Sequence, residues 1–258
     1  PPPSMCRPCV LLTFMLVTGA ADASSVEDQS LIQALFATAH SGQVYAIDYL
    51  LAAGADVNQA RTTDGCTPLY AAAMQGHIAV VMKLIAAGAL VDKAETTNGA
   101  TPLYIAAQLG HLTVVMKLIE AGADVDKART NDGATPLYIA AQKGHLTVVT
   151  QLIAAGALVE KARTTDGITP LYIAAEKGHL TVVTKLIAAA ASADVDTART
   201  TDGCTPLYFA AQNGHTAIVS KLLQHGADKS IRGWHNETPL DAAQRRNRTA
   251  IDALLQVE

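Results

Sequence analysis

Histidine is the residue of this 258-residue chain that most invites a chemical reading. His77, His111, His145, His179 and His215 each follow a glycine, one per stretch of about 34 residues. A row of imidazoles could bind metal. Zinc, however, needs its ligands about 2 Å from one ion, and adjacent packed helix layers lie roughly 8–10 Å apart. Ligands spread one per layer cannot share an ion, so the row is expected to be architectural and no metal is called for. Cys6 and Cys9 form a lone C-x-x-C without a second ligand pair nearby. Cys66 and Cys204 recur at one repeat position four units apart, too far for a disulfide. The arginines at 61, 129, 163 and 199, with Glu95 in the same register, are followed three residues on by Asp64, Asp132, Asp166, Asp202 and Asn98. The arginines could read an acidic partner, but the aspartates more simply cap turns and neutralise them. Tyr70, Tyr104, Tyr138, Tyr172 and Tyr208 form a further row, expected half-buried with each hydroxyl partnered.

No phosphate loop, H-E-x-x-H or G-x-S-x-G is present, so neither a catalytic residue nor a cofactor is expected. The net charge of −4 gives no general attraction to nucleic acid. From Met5 the chain runs into the apolar stretch Cys9–Val17 (CVLLTFMLV) and then Ala21-Asp22-Ala23. This resembles a secretory signal peptide but is too short to span a bilayer. Residues 1–27 are read either as such a signal or as a disordered tail. The compartment is correspondingly cytoplasmic or secreted. Asn236-Glu237-Thr238 and Asn247-Arg248-Thr249 would be glycosylation acceptors in a secreted chain, although turn chemistry explains both asparagines.

What positions these rows is a repeat. Thr-Pro-Leu occurs at 67, 101, 135, 169, 205 and 238, and residues 99–132 match 133–166 at 27 of 34 positions. In one unit, Thr67 is a helix N-cap and Pro68 suits the first helical position. Leu69, Ala72 and Ala73 form an apolar face, and Gly76 supplies a left-handed stop. A second helix follows from about His77 to Ala87, with Val80, Val81, Leu84 and Ile85 as its buried stripe. The stretch Val91–Asn98 starts as strand-compatible sequence and turns near Asn98-Gly99. Neither helix is long enough to persist alone, so each must bury its stripe against neighbours. Alanine pairs such as Ala106-Ala107 allow the close approach.

The pattern G-x-T-P-L-Y-x-A-A-x-x-G-H-x-x-V-V-x-x-L-I-x-x-G-A-D-V resembles the ankyrin repeat and covers about residues 28–258. The fold expected is an all-α repeat solenoid of stacked helix-turn-helix units with β-hairpin or loop connections. Seven units are delimited at 28–64, 65–98, 99–132, 133–166, 167–202, 203–235 and 236–258, the first and last acting as caps. Two departures stand out: tyrosine replaces the family's usual histidine after T-P-L, with Asp241 in the last unit, and most units carry one extra hairpin residue. After Leu186-Ile187 the stop glycine is missing and Ala188–Ser192 stands in its place. This predicts that the helix runs on or its loop bulges, displacing the next hairpin.

The resemblance implies a non-catalytic, monomeric protein-interaction module whose concave face joins hairpin tips and first helices. Family contacts map onto Cys66, Ala100, Ala134, Ile168 and Cys204, and onto the pairs Met74-Gln75, Gln108-Leu109, Gln142-Lys143, Glu176-Lys177 and Gln212-Asn213. Trp234, near the last hairpin tip, is either a further contact or packs on the terminal cap. The partner expected is a protein, with no nucleic acid and no membrane span. The alternatives are the ankyrin portion of a larger enzyme, channel or regulator, which the absence of an initiator methionine permits, and a secreted effector-like binder.

Overall fold

The computed structural model describes residues 23–190 and 194–256, with side-chain surroundings from residue 31. The signal-like segment and the Cys6/Cys9 pair lie outside the described residues. Among those described there are fourteen α-helices, one 3-10 turn and no strand. The helices come as seven consecutive pairs: α1 (Ala23–Ser41) with α2 (Val44–Ala52), α3 (Pro68–Gln75) with α4 (Ile78–Ala86), α5 (Pro102–Leu109) with α6 (Leu112–Glu120), and α7 (Pro136–Lys143) with α8 (Leu146–Ala154). Then follow α9 (Pro170–Lys177) with α10 (Leu180–Ala189), α11 (Pro206–Asn213) with α12 (Thr216–Gln224), and α13 (Pro239–Arg245) with α14 (Thr249–Gln256). First helices pack on first helices of the next pair and second helices on second, as a single-file stack requires.

Local sequence explains each boundary. Thr67, Thr101, Thr135, Thr169 and Thr205 all accept the backbone N–H three residues on, at 3.1–3.2 Å. Proline occupies the next position, and glycines such as Gly76 and Gly144 close the helices in the left-handed region. Helices α4, α6, α8 and α10 bury their V-V-x-x-L stripes, as at Val148, Val149 and Leu152, and α12 does the same with Ile218, Val219 and Leu222. These stripes and the alanine pairs merge into one apolar core running along the array.

The connections are turns rather than strands. Val91 and Asp92 lie in a turn. The hairpins are closed by isolated backbone bonds, such as Arg163 N–H to Ile168 O (2.9 Å) and Thr164 N–H to Asp132 O of the preceding hairpin (2.9 Å). Two bonds within a hairpin, the second from Gly167 N–H to Arg163 O (2.9 Å), and one to its neighbour are too few to build a ladder.

The insertion near Ala190 behaves in part as expected. Helix α10 has ten residues where its counterparts have nine, and it ends in extended backbone at Ala190. The following hairpin is not displaced. Arg199 N–H still bonds Cys204 O, and Thr200 N–H still bonds Asp166 O, both at 2.9 Å, as in the unit before. What is lost is local: Leu90 N–H bonds Asn58 and Leu158 N–H bonds Asp126, but Asp194 N–H has no such bond to Glu160.

Candidate partner-binding surface

The histidines are consumed by the stack. His111, His145, His179 and His215 each donate from Nε2 to a carbonyl oxygen of the preceding pair (Met74, Gln108, Gln142 and Glu176) at 3.0–3.1 Å. His77 does the same to His40 O at 3.0 Å. A carbonyl can only accept, so the geometry fixes the Nε2–H tautomer. Each ring also fills the space beside the previous stop glycine. A Cβ on Gly144 would lie 2.6 Å from His179 Nδ1, so both the left-handed backbone and the neighbouring ring demand glycine there. In the last pair Arg248 replaces histidine, its Nε donating to Gln212 O at 3.4 Å, while Asn247 takes the glycine's left-handed turn at φ 55°.

The hairpin charges are likewise internal. Arg61, Arg129, Arg163 and Arg199 pair with Asp64, Asp132, Asp166 and Asp202. Asp132 Oδ1 also accepts Ala134 N–H at 3.1 Å. The Arg199 guanidinium, opposed by burial, holds Asp202 below the ordinary carboxylate range. Burial alone would raise Asp132 and Asp166, but the arginine and backbone bonds outweigh it and both are lowered. Glu95 stands where other units have arginine, is 4 % exposed, and binds the N–H groups of Thr97, Asn98 and Ala100. One carboxylate thus does the turn-closing work that aspartate does elsewhere.

The tyrosine row differs from expectation. Tyr104, Tyr138 and Tyr172 are buried, and their hydroxyls have no hydrogen-bond partner. The guanidiniums of Arg129 and Arg163 sit 5.2 Å from the Tyr104 and Tyr138 ring centres. The Tyr104 and Tyr138 rings are therefore held by apolar contact and a cation over the face rather than by the hydroxyl, and Tyr172 packs on Phe209 at 5.7 Å between ring centres. Burial pushes the Tyr104 and Tyr138 phenols up to about 12. Tyr208 is also fully buried rather than half-buried, but its hydroxyl has the expected partner, donating to Glu237 at 3.0 Å. Burial also raises the thiols of Cys66 and Cys204, to about 12 and about 11, so neither supplies a thiolate at neutral pH.

Five family-model matches to ankyrin repeats span residues 11–94, 31–129, 80–164, 126–198 and 171–258. The chain belongs to the ankyrin-repeat family. The crystal structure of the human ASB11 ankyrin repeat domain is similar at 28% identity, with a TM-score of 0.75, over 87% of this chain and 98% of that one. A search of curated proteins gave no match. Ankyrin repeats are in general protein–protein interaction modules, typically non-catalytic.

The ankyrin stack sorts the family-mapped positions by depth. Cys66, Ala100, Ala134, Ile168 and Cys204, after the turn glycines, are buried beneath the hairpins. Met74, Gln108, Gln142 and Glu176 are partly covered, and Gln212 is buried. Gln75, Leu109, Lys143, Lys177 and Asn213 are exposed at the ends of successive first helices. Equal repeat positions bring these five into one row. Trp234 is 49% exposed and stacks on His235 (4.7 Å between ring centres), while its backbone N–H bonds Cys204 Sγ. One feature is missing from the sequence reading. Arg248 entered the ladder because its register matches the histidines, which a strict alignment of the last unit would have revealed. No helix of the described residues is long and apolar enough to cross a membrane.

Proposed function

We propose that this ankyrin array is a non-catalytic module that holds a protein partner on the concave face formed by its first helices and hairpins. Seven units between residues 28 and 258 build the platform, with terminal pairs as caps. Gln75, Leu109, Lys143, Lys177 and Asn213 make the contacts. Met74, Gln108, Gln142, Glu176 and Gln212 flank them, and the residues after the turn glycines shape the floor. Trp234 extends the surface at the last hairpin.

The observation that carries this reading is the division of labour within each repeat. Histidine, arginine, aspartate and threonine, the polar residues that recur, are spent on inter-repeat or intra-turn bonds. The exposed position at the end of each first helix carries a different residue in nearly every unit: Gln75 and Asn213 reach back to His40 and to the Glu176 carbonyl of the preceding pair, whereas Leu109 and Lys143 make no such bond among the described residues. The test is capture of partners by the full chain, compared with Leu109→Glu/Lys143→Glu and with Thr147→Glu on the second-helix flank. Loss with the first variant alone supports the reading. Equal capture by all three, or loss only with Thr147→Glu, contradicts it. Ile168 is unsuitable as a probe because it is 3% exposed and a charge there would unfold the unit.

A further inference from the structure

The chain as a whole is acidic, at −4, but its charge is unevenly placed. Helices α3, α5, α7, α9 and α11 contain Lys143, Lys177 and Glu176 and no other charged residue. Acids lie instead in the loops after the second helices, among them Asp92, Asp124, Asp126, Glu160, Asp196 and Asp228, interleaved there with Lys93, Lys127 and Lys161. The exposed row therefore reads, from the N-terminal end, amide, aliphatic, cation, cation, amide (Gln75, Leu109, Lys143, Lys177, Asn213). Arg246, exposed at the same register of the last pair, adds a further cation.

Within the row the three central positions differ in availability. Leu109 is 45% exposed, a large aliphatic surface left in water. Lys143 is exposed and has no ion-pair partner among the described residues. Lys177 Nζ is 3.0 Å from Glu176 Oε1, so its charge is partly answered from within. Successive layers are about 10 Å apart, and an extended chain advances about 3.3 Å per residue, so one repeat corresponds to roughly three residues of a strand laid along the array.

We infer that this row accepts an extended peptide segment carrying one apolar side chain, with acidic residues three and six positions from it. This rests on the reading of the array as a protein-binding module and gives its ligand a chemistry. The apolar side chain covers Leu109, the first acid meets Lys143, and the second meets Lys177 in competition with Glu176. The first acid therefore contributes more than the second. Charge complementarity of this kind sets register as well as strength, because a shift of one residue takes both acids off their lysines.

The probe is a fluorescein-labelled Leu-Gly-Ser-Glu-Gly-Ser-Glu peptide, made also in reverse order, titrated with the full chain by fluorescence anisotropy. Binding of one order is expected, weakened about tenfold by Lys143→Glu and recovered when the facing glutamate of the peptide is replaced by lysine. A peptide with one residue instead of two between its fixed positions binds more weakly. The inference is overturned if neither order binds, if Lys143→Glu changes nothing, or if an oligothymidylate of equal charge binds more tightly than the peptide. A random peptide library selected on the same chain separates the two levels of the proposal. Ligands abolished by Leu109→Glu but lacking the spaced acids overturn this inference and leave the module reading intact. A library that yields no ligand, or only ligands indifferent to the row, overturns both.

Discussion

An interior unit and the C-terminal pair meet the same geometric demands with different residues. In the interior, Gly144 turns left-handed, His179 donates to Gln142 O, and Tyr138 lies buried under Arg163. At the end, Asn247 makes the turn, Arg248 donates to Gln212 O, and Asp241 replaces tyrosine to complete a capping box with Thr238. The interior unit is packed on two sides and uses residues that fill space. The last pair has one neighbouring pair among the described residues, and its residues 244–250 are exposed and mostly polar. What is invariant is the request of the backbone: a left-handed residue, a donor for the preceding carbonyl, and a cap for the first helix. The side chain that answers it differs between the two.

Substitutions can break this comparison. The largest effect is expected at the interior stripe: Leu152→Ala, at a fully buried site, should cost about 2–5 kcal/mol of unfolding free energy in urea titration. Leu254→Ala, partly covered in the last helix, should cost less. Next come the stops. Gly144→Ala should lose about 1–3 kcal/mol through left-handed strain and contact with His179, whereas Asn247→Gly should be near neutral. Equal losses at the two stops would erase the contrast between interior and end.

A smaller effect attaches to pH. Asp132, Asp166 and Asp202 titrate lower in the folded than in the unfolded chain. Their stabilisation is therefore complete above the unfolded carboxylate range and is lost as pH falls through the lowered folded values. Melting temperature should drop on acidification below about pH 4, and by less in Asp166→Asn, which has one such group fewer. The smallest effect is expected from Tyr138→Phe. Its hydroxyl has no partner to lose, so melting should be unchanged or slightly raised. A loss above about 1 kcal/mol would show that a buried partner for the hydroxyl exists.

Much of this was legible in the sequence because local rules and the global fold agree. Thr67-Pro68 announced a helix start, Gly76 its end, and the valine pair the buried face, each for a reason that operates within a few residues. Asn236 at φ 60° filled a glycine position as its type allows. The tyrosine hydroxyls were misread because their surroundings come from the next hairpin, not from neighbours in sequence. The residues after the turn glycines were expected at the contact surface, and their burial depends on how the hairpins fold over them. The displaced hairpin failed for a related reason: bonds from Asp166 O and Cys204 O, 34 and 5 residues from their donors, restore the register whatever the loop before them does.

The central claim is that the histidine row is spent on joining layers, which leaves the exposed ends of the first helices as the variable surface. Long-range proton–nitrogen correlation spectra of the imidazoles test it most directly. All of His77, His111, His145, His179 and His215 should carry a hydrogen-bonded proton on Nε2, unchanged when a ligand selected on the chain is added. Nδ1–H tautomers, or ring nitrogens that shift together on ligand binding, would contradict it.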